Sequence, residues 1–145
     1  MFTFTGQHIL VMRLIAQHEI ESPALLHNFL FLASAESLDY HDLGFYDFVR
    51  TRNGAYSPAV QSILEDLITG QLLTKEPLRL STKGMDTYYA LASSLRPFED
   101  FINRCFSIYM RNKDNIGTIN EMIKTNLLFR KVKQGKKIFP NPPEA

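Results

Sequence analysis

Val60, Ile63, Leu64, Leu67 and Ile68 recur at i, i+3, i+4, i+7 and i+8, a spacing that gathers apolar side chains onto one face of a helix. Ser57-Pro58 opens this stretch with a capping hydroxyl and a proline at the first helical position, where its missing N–H costs nothing. Gly70 stands where a helix-ending glycine belongs. Upstream, Phe45 to Val49 is rich in strand formers, and Arg50-Thr51-Arg52-Asn53-Gly54 supplies a turn. Downstream, Leu72-Leu73 and Leu78-Arg79-Leu80 read as two strand arms with Lys75-Glu76-Pro77 at the tip. Leu80-Ser81-Thr82-Lys83-Gly84 then leads from strand into helix.

Strand, helix and hairpin in that order, from Tyr46 to Gly84, make the core of a winged helix. The flanking segments are helical. Thr5 is a cap for a first helix through about His18, with Val11, Met12, Leu14 and Ile15 as its apolar surface. Ser22-Pro23 starts a second, which buries Leu25, Leu26, Phe29, Leu30 and Leu32 and ends near Ala35 in the polar connection Ser37 to Asp42. Ser81 caps a helix carrying Met85, Tyr88, Tyr89, Leu91, Ala92 and Leu95, which Arg96-Pro97 breaks. A long helix follows, with a stripe of Phe98, Phe101, Ile102, Cys105, Phe106 and Tyr109. Asn112-Lys113-Asp114 is a turn with Asp114 as cap, before a last helix marked by Ile116, Ile119, Ile123 and Leu127. The expected fold is mainly α with a small β-hairpin. A winged-helix-like domain occupies residues 1–95, a C-terminal helical extension residues 96–139, and a flexible proline-rich tail residues 140–145.

Glycine, a small residue, then Tyr-Ser opening a helix, as in Gly54-Ala55-Tyr56-Ser57, resembles the Gly-Pro-Tyr-Ser motif of the Panacea domain, a family that includes the SocA-like antitoxins and phage-associated proteins and to which the YwgA-like proteins are similar. Leu67-x-x-Gly70-x-Leu72-Leu73 and Leu80-Ser81-Thr82-Lys83-Gly84 add to the resemblance, which spans about residues 8–95. Ala55 departs from the family pattern, where proline is usual. The resemblance implies a mostly helical domain with a small wing that acts by protein contact, typically by neutralising a toxin.

Charge separates two surfaces. Residues 1–95 hold six Lys/Arg against ten Asp/Glu, and residues 96–145 hold ten against five. An acidic wing domain counts against the simplest DNA-binding reading. In that reading the Ser57 helix enters the major groove with Gln61 on adenine, and Arg50, Arg52, Lys75, Arg79 and Lys83 grip phosphates. Glu65 and Asp66 on the same helix would repel them. In the protein-contact reading the same residues, with Tyr56, face a partner. The basic run Lys124, Arg130, Lys131, Lys133, Lys136 and Lys137 is interrupted by no acidic residue. It reads as a solvated helix end, or as a surface for nucleic acid, a membrane surface, or an acidic patch on a partner or a second copy of this chain.

Chemistry finds little support. His8, His18, His27 and His41 lack a metal-ligand spacing, and one cysteine, Cys105, supplies neither a thiolate site nor an internal disulfide. The lone thiol fits a reducing cytoplasm, and on its apolar stripe it reads as a buried structural residue. Asp39-x-His41-Asp42 reads as turn and cap chemistry. No phosphate loop, nucleophile elbow or dinucleotide fingerprint is present. No apolar run reaches the roughly 20 residues of a membrane span. The expectation is a cytoplasmic, non-enzymatic chain without metal or cofactor, binding a protein partner or duplex DNA. The surplus of aromatic residues suggests a homodimer through residues 97–129.

Overall fold

The computed structural model describes residues 4–18, 20–36 and 45–139. The Asp39–Asp42 cluster and the proline-rich tail lie outside the described residues. The chain is mainly helical with two small antiparallel hairpins: α1 (Gly6–His18), α2 (Pro23–Ala35), β1 (Val49–Thr51), β2 (Gly54–Tyr56), α3 (Pro58–Thr69), β3 (Leu73–Lys75), β4 (Leu78–Leu80), α4 (Thr82–Leu91), α5 (Glu99–Asn112), α6 (Thr118–Met122) and α7 (Leu127–Lys131). A 3₁₀ segment, Ala92–Phe98, joins α4 to α5, and a second, Ile123–Thr125, joins α6 to α7.

The expected helix starts are built as capping chemistry requires. Ser22, Ser57 and Ser81 each accept, through the hydroxyl, the N–H three residues on. Thr5 does so from the N–H of His8 (3.4 Å), and the His8 ring returns the favour: its Nδ1 accepts the Thr5 N–H at 3.2 Å. This is a capping box with histidine in the place of glutamate.

Two expectations about the centre are corrected. The residues read as a turn, Arg50 to Gly54, are mostly strand: Arg50 pairs with Ala55 and Thr51 with Gly54, leaving Arg52-Asn53 as a two-residue loop. Of the strand expected over Phe45–Val49 only Val49 pairs, and β1 runs two residues past it; Gly54 has φ +142° and the Thr51 hydroxyl donates to its carbonyl at 2.7 Å. Second, α2 is not one-sided. Every residue from Leu25 to Ser34 is buried, so α2 is a central helix, with α5, α6 and the β1–β2 hairpin packed against it.

The chain past residue 95 shares this core. Phe101, Cys105, Ile119, Ile123, Phe129, Ile138 and Phe139 belong to one buried cluster with α1 and α2. Phe139 stacks on Phe31 (5.3 Å between centroids) and meets Phe48 edge-on. Residues 135–138 run beside β1: Gly135 donates to the Arg50 carbonyl at 2.7 Å, Arg50 to the Lys136 carbonyl at 3.0 Å, and Ile138 to the Phe48 carbonyl at 2.9 Å. The boundary expected at residue 95 is therefore no break in packing.

Local corrections follow from the same core. α4 ends at Leu91, and the helix break expected at Arg96-Pro97 becomes the tighter 3₁₀ segment. The last helix is three short pieces. Gly117, not Asp114, occupies the cap position of α6, Asn126 caps α7, and Leu127 is exposed. On α5 the buried residues are Phe101, Cys105 and Ile108, and Phe106 is 53% exposed rather than part of the stripe.

His18 is a polar anomaly in this core. It is 2% exposed, lies between Phe29 and Tyr109 (5.8 and 4.6 Å between ring centroids), and among the described residues neither ring nitrogen has a hydrogen-bond partner. Desolvation, aided by the Arg13 charge, lowers its pKa to about 4. The unfolded chain takes up this proton near pH 6.5 and the folded chain does not, so stability is fully present above 6.5 and is lost as pH falls. Urea unfolding should show about 2 kcal/mol less stability at pH 5 than at pH 7 from this residue. His18→Leu should flatten that slope and hold or raise stability at pH 7. An unchanged slope in the variant would exclude His18 as its source.

Candidate nucleic-acid or partner interface

The face expected to meet a ligand is built on the junction of β2 and α3. Tyr56, the last residue of β2, is 37% exposed, and its ring lies flat on His27 of α2, 4.9 Å between centroids and 14° between planes. His27 is held from both sides. Its Nδ1 accepts the Ser57 N–H at 3.0 Å, and its Nε2 meets the Gln61 Oε1 at 3.3 Å. Because Nδ1 accepts, the network assigns the proton to Nε2, which donates to Gln61. Burial is the main cause of a lowered His27 pKa, with the Gln61 hydrogen bond and the Asp47 charge opposing it.

The remaining groups of this network are also occupied. Ser57 is fully buried, its hydroxyl donates to Asp47 Oδ1 and accepts the Val60 N–H at 3.1 Å. Asp47 Oδ2 accepts the Ala59 N–H at 2.9 Å, so one carboxylate and one hydroxyl together cap α3. Serine, histidine and aspartate thus meet without a nucleophile's geometry: His27 faces the Ser57 backbone N–H, not its hydroxyl. Gln61 Nε2 donates to Glu65 Oε1 at 3.3 Å. Glu65 is exposed, while Asp66 turns inward to His8 Nε2 at 2.9 Å and pins α3 to α1.

The cations read as phosphate contacts do not form one group. Arg50 is a correction. Its Nη1 donates to the carbonyls of Phe129 (3.3 Å) and Val132 (2.7 Å), and its guanidinium lies 4.7 Å from the Phe129 ring centroid. It caps the C-terminus of α7 and ties the C-terminal segment to β1, a role no local pattern announces. Arg79 pairs with Glu21 at 3.3 Å, and Lys83 Nζ donates to the Gly70 carbonyl at 3.1 Å. Arg52, on the β1–β2 loop, and Lys75, at the tip of the second hairpin, are exposed.

The basic run is exposed at Lys124, Arg130, Lys131, Lys133, Lys136 and Lys137. Of the apolar residues interleaved with it, Phe129, Ile138 and Phe139 are core, Leu128 and Val132 are half-buried, and Leu127 is 68% exposed. Lys124 pairs with Glu121 at 3.3 Å. Among the described residues, no three His, Cys, Asp or Glu side chains gather where a metal could bind, and no helix is long and apolar enough to cross a membrane. The chain matches no family model, no characterised protein and no solved structure.

His27 and Asn28 are the participants that sequence reasoning missed. Both sit on an apolar helix among leucines and phenylalanines. Their only signal is that a polar pair in such a run must find partners when buried.

Proposed function

We propose that this chain is a winged-helix-like, non-enzymatic protein-interaction module that uses the Tyr56 face to hold a protein partner. The observation that carries the reading is the Tyr56–His27 stack. An exposed aromatic ring is immobilised on a buried imidazole whose two nitrogens are both engaged. A ring so held loses little conformational freedom on binding, which is what makes tyrosine an interface anchor. Gln61 and the exposed Glu65 continue the face with polar groups, as an interface rim requires. In the sense of the Gly54–Ser57 motif, the partner is a protein to be neutralised or adapted, such as a toxin.

The alternative, a dimeric regulator reading DNA through α3, has less support. Of its proposed phosphate contacts, Arg50 is spent on carbonyls and Arg79 is neutralised by Glu21. Gln61 is tied to His27 and Glu65 rather than presented to a base.

The test is affinity capture from the native host, with and without nuclease, using the unmodified chain and Tyr56→Ala. A protein partner retained through nuclease treatment, and bound about 30-fold more weakly by Tyr56→Ala, is the expected result. Loss of every partner on nuclease treatment would favour DNA and overturn the proposal.

A further inference from the structure

We infer that α5 carries a self-complementary seam through which two copies of this chain pair antiparallel. Glu99, Asn103, Phe106, Met110 and Lys113 are all exposed, and they follow one another at intervals of 4, 3, 4 and 3 residues. That is the spacing of a coiled-coil seam, which runs straight along a helix. Buried Phe101, Cys105 and Ile108 occupy the opposite side, so the helix has two apolar sides and the core uses one.

The chemistry of the row selects its occupant. Phe106 (53% exposed) and Met110 (43%) form its middle, with a glutamate at one end and a lysine at the other. Among the described residues neither Glu99 nor Lys113 forms an ion pair. A two-fold interface must match itself, residue for residue, across its axis. An antiparallel pair with its axis between Phe106 and Met110 stacks Phe106 of each copy on Met110 of the other. In this register Lys113 of each copy comes level with Asn103 of the other, one helical turn from that copy's Glu99. A parallel pair would set Glu99 against Glu99 and Lys113 against Lys113. An unrelated partner would not require the row to be complementary to itself.

Beside the N-terminal half of the seam, Leu95, Arg96, Ile102 and Asn103 help line an open groove of about 620 Å³, where side chains from the C-terminal half of the second copy can lodge. One helix of 14 residues buries a small area, so the pair is weak and reversible. The seam shares no residue with the Tyr56 face, and each reading can fail without the other.

Sedimentation equilibrium of the full chain at low salt, from micromolar to submillimolar concentration, tests the seam. The unmodified chain should pass from monomer to dimer, and Phe106→Glu should remain monomeric. Glu99→Lys or Lys113→Glu should each weaken the pair about tenfold, because the change acts at both ends. The double swap Glu99→Lys with Lys113→Glu should restore it. All these positions are exposed, so an unchanged urea midpoint will show that folding is intact. A monomer at every concentration, or a double swap no better than the single changes, overturns the inference.

Discussion

Gly84→Ala should lower the stability of this chain by about 2–3 kcal/mol, although alanine is the better helix former by about 1 kcal/mol. Gly84 lies in the first turn of α4, where the helix rests on the start of the second hairpin. A Cβ there would overlap the Leu72 carbonyl oxygen and stand 3.1 Å from its carbonyl carbon. Both are backbone atoms, and neither can rotate away. The same oxygen accepts the Ser81 N–H at 3.0 Å, and the Ser81 hydroxyl donates to the Gln71 carbonyl at 2.7 Å while capping Gly84 at 3.0 Å. Relief of the clash therefore moves α4 and strips its cap, a further loss of about 1 kcal/mol. The steric and capping terms outweigh propensity. Urea unfolding followed by circular dichroism measures the difference. Gly117→Ala, with only the Asn115 side chain nearby at 3.4 Å, should stay within about 0.5 kcal/mol. A Gly84→Ala variant as stable as the parent would mean that α4 does not approach the hairpin this closely.

What the sequence made legible was local. Ser22, Ser57 and Ser81 announce their helices because a cap and the N–H that it accepts are three residues apart. The α3 stripe is legible for the same reason, and Val60, Ile63, Leu64 and Leu67 are buried as their spacing requires. α5 was harder to read. Its apolar residues occupy two sides of the helix, and periodicity cannot say which side a neighbour covers, so Phe106 reads as part of the buried stripe although it is exposed. Arg50 was illegible for a different reason: its partners are the carbonyls of Phe129 and Val132, some 80 residues away, and carbonyls leave no trace in a sequence. The candidate site divides likewise. Tyr56 and Gln61 are read from the motif that opens α3, but the imidazole that orients both comes from α2.

Asn28→Ala should cost about 3 kcal/mol, and it acts on the joint that holds this site in place. Asn28 is 2% exposed on α2. Its Oδ1 accepts the Ala55 N–H at 3.0 Å, and its Nδ2 donates to the Asn120 Oδ1 at 2.7 Å. One side chain thereby joins the central helix, the β1–β2 hairpin and α6. Truncation leaves the Ala55 N–H buried without a partner, at about 1–3 kcal/mol, and adds a small cavity. Asn28→Leu separates these effects, since it fills the space and removes only the hydrogen bonds. It should cost about 2 kcal/mol, because a buried donor loses its partner whatever replaces the amide. Gly54 is what admits the amide: it has φ +142°, and a Cβ there would stand 2.6 Å from the Asn28 Oδ1. Hydrogen exchange gives the residue-level check. The Ala55 amide should lose protection in both variants, while the Val60 amide, held by the Ser57 hydroxyl at 3.1 Å, should exchange faster only to the extent of the global loss. Equal added loss at both amides would mean that Asn28 stabilises the fold as a whole and not this joint. Tyr56 follows Ala55 directly, so a hairpin released from α2 also frees the ring from its stack on His27. Partner capture by Asn28→Leu should then weaken by more than the folded fraction alone explains.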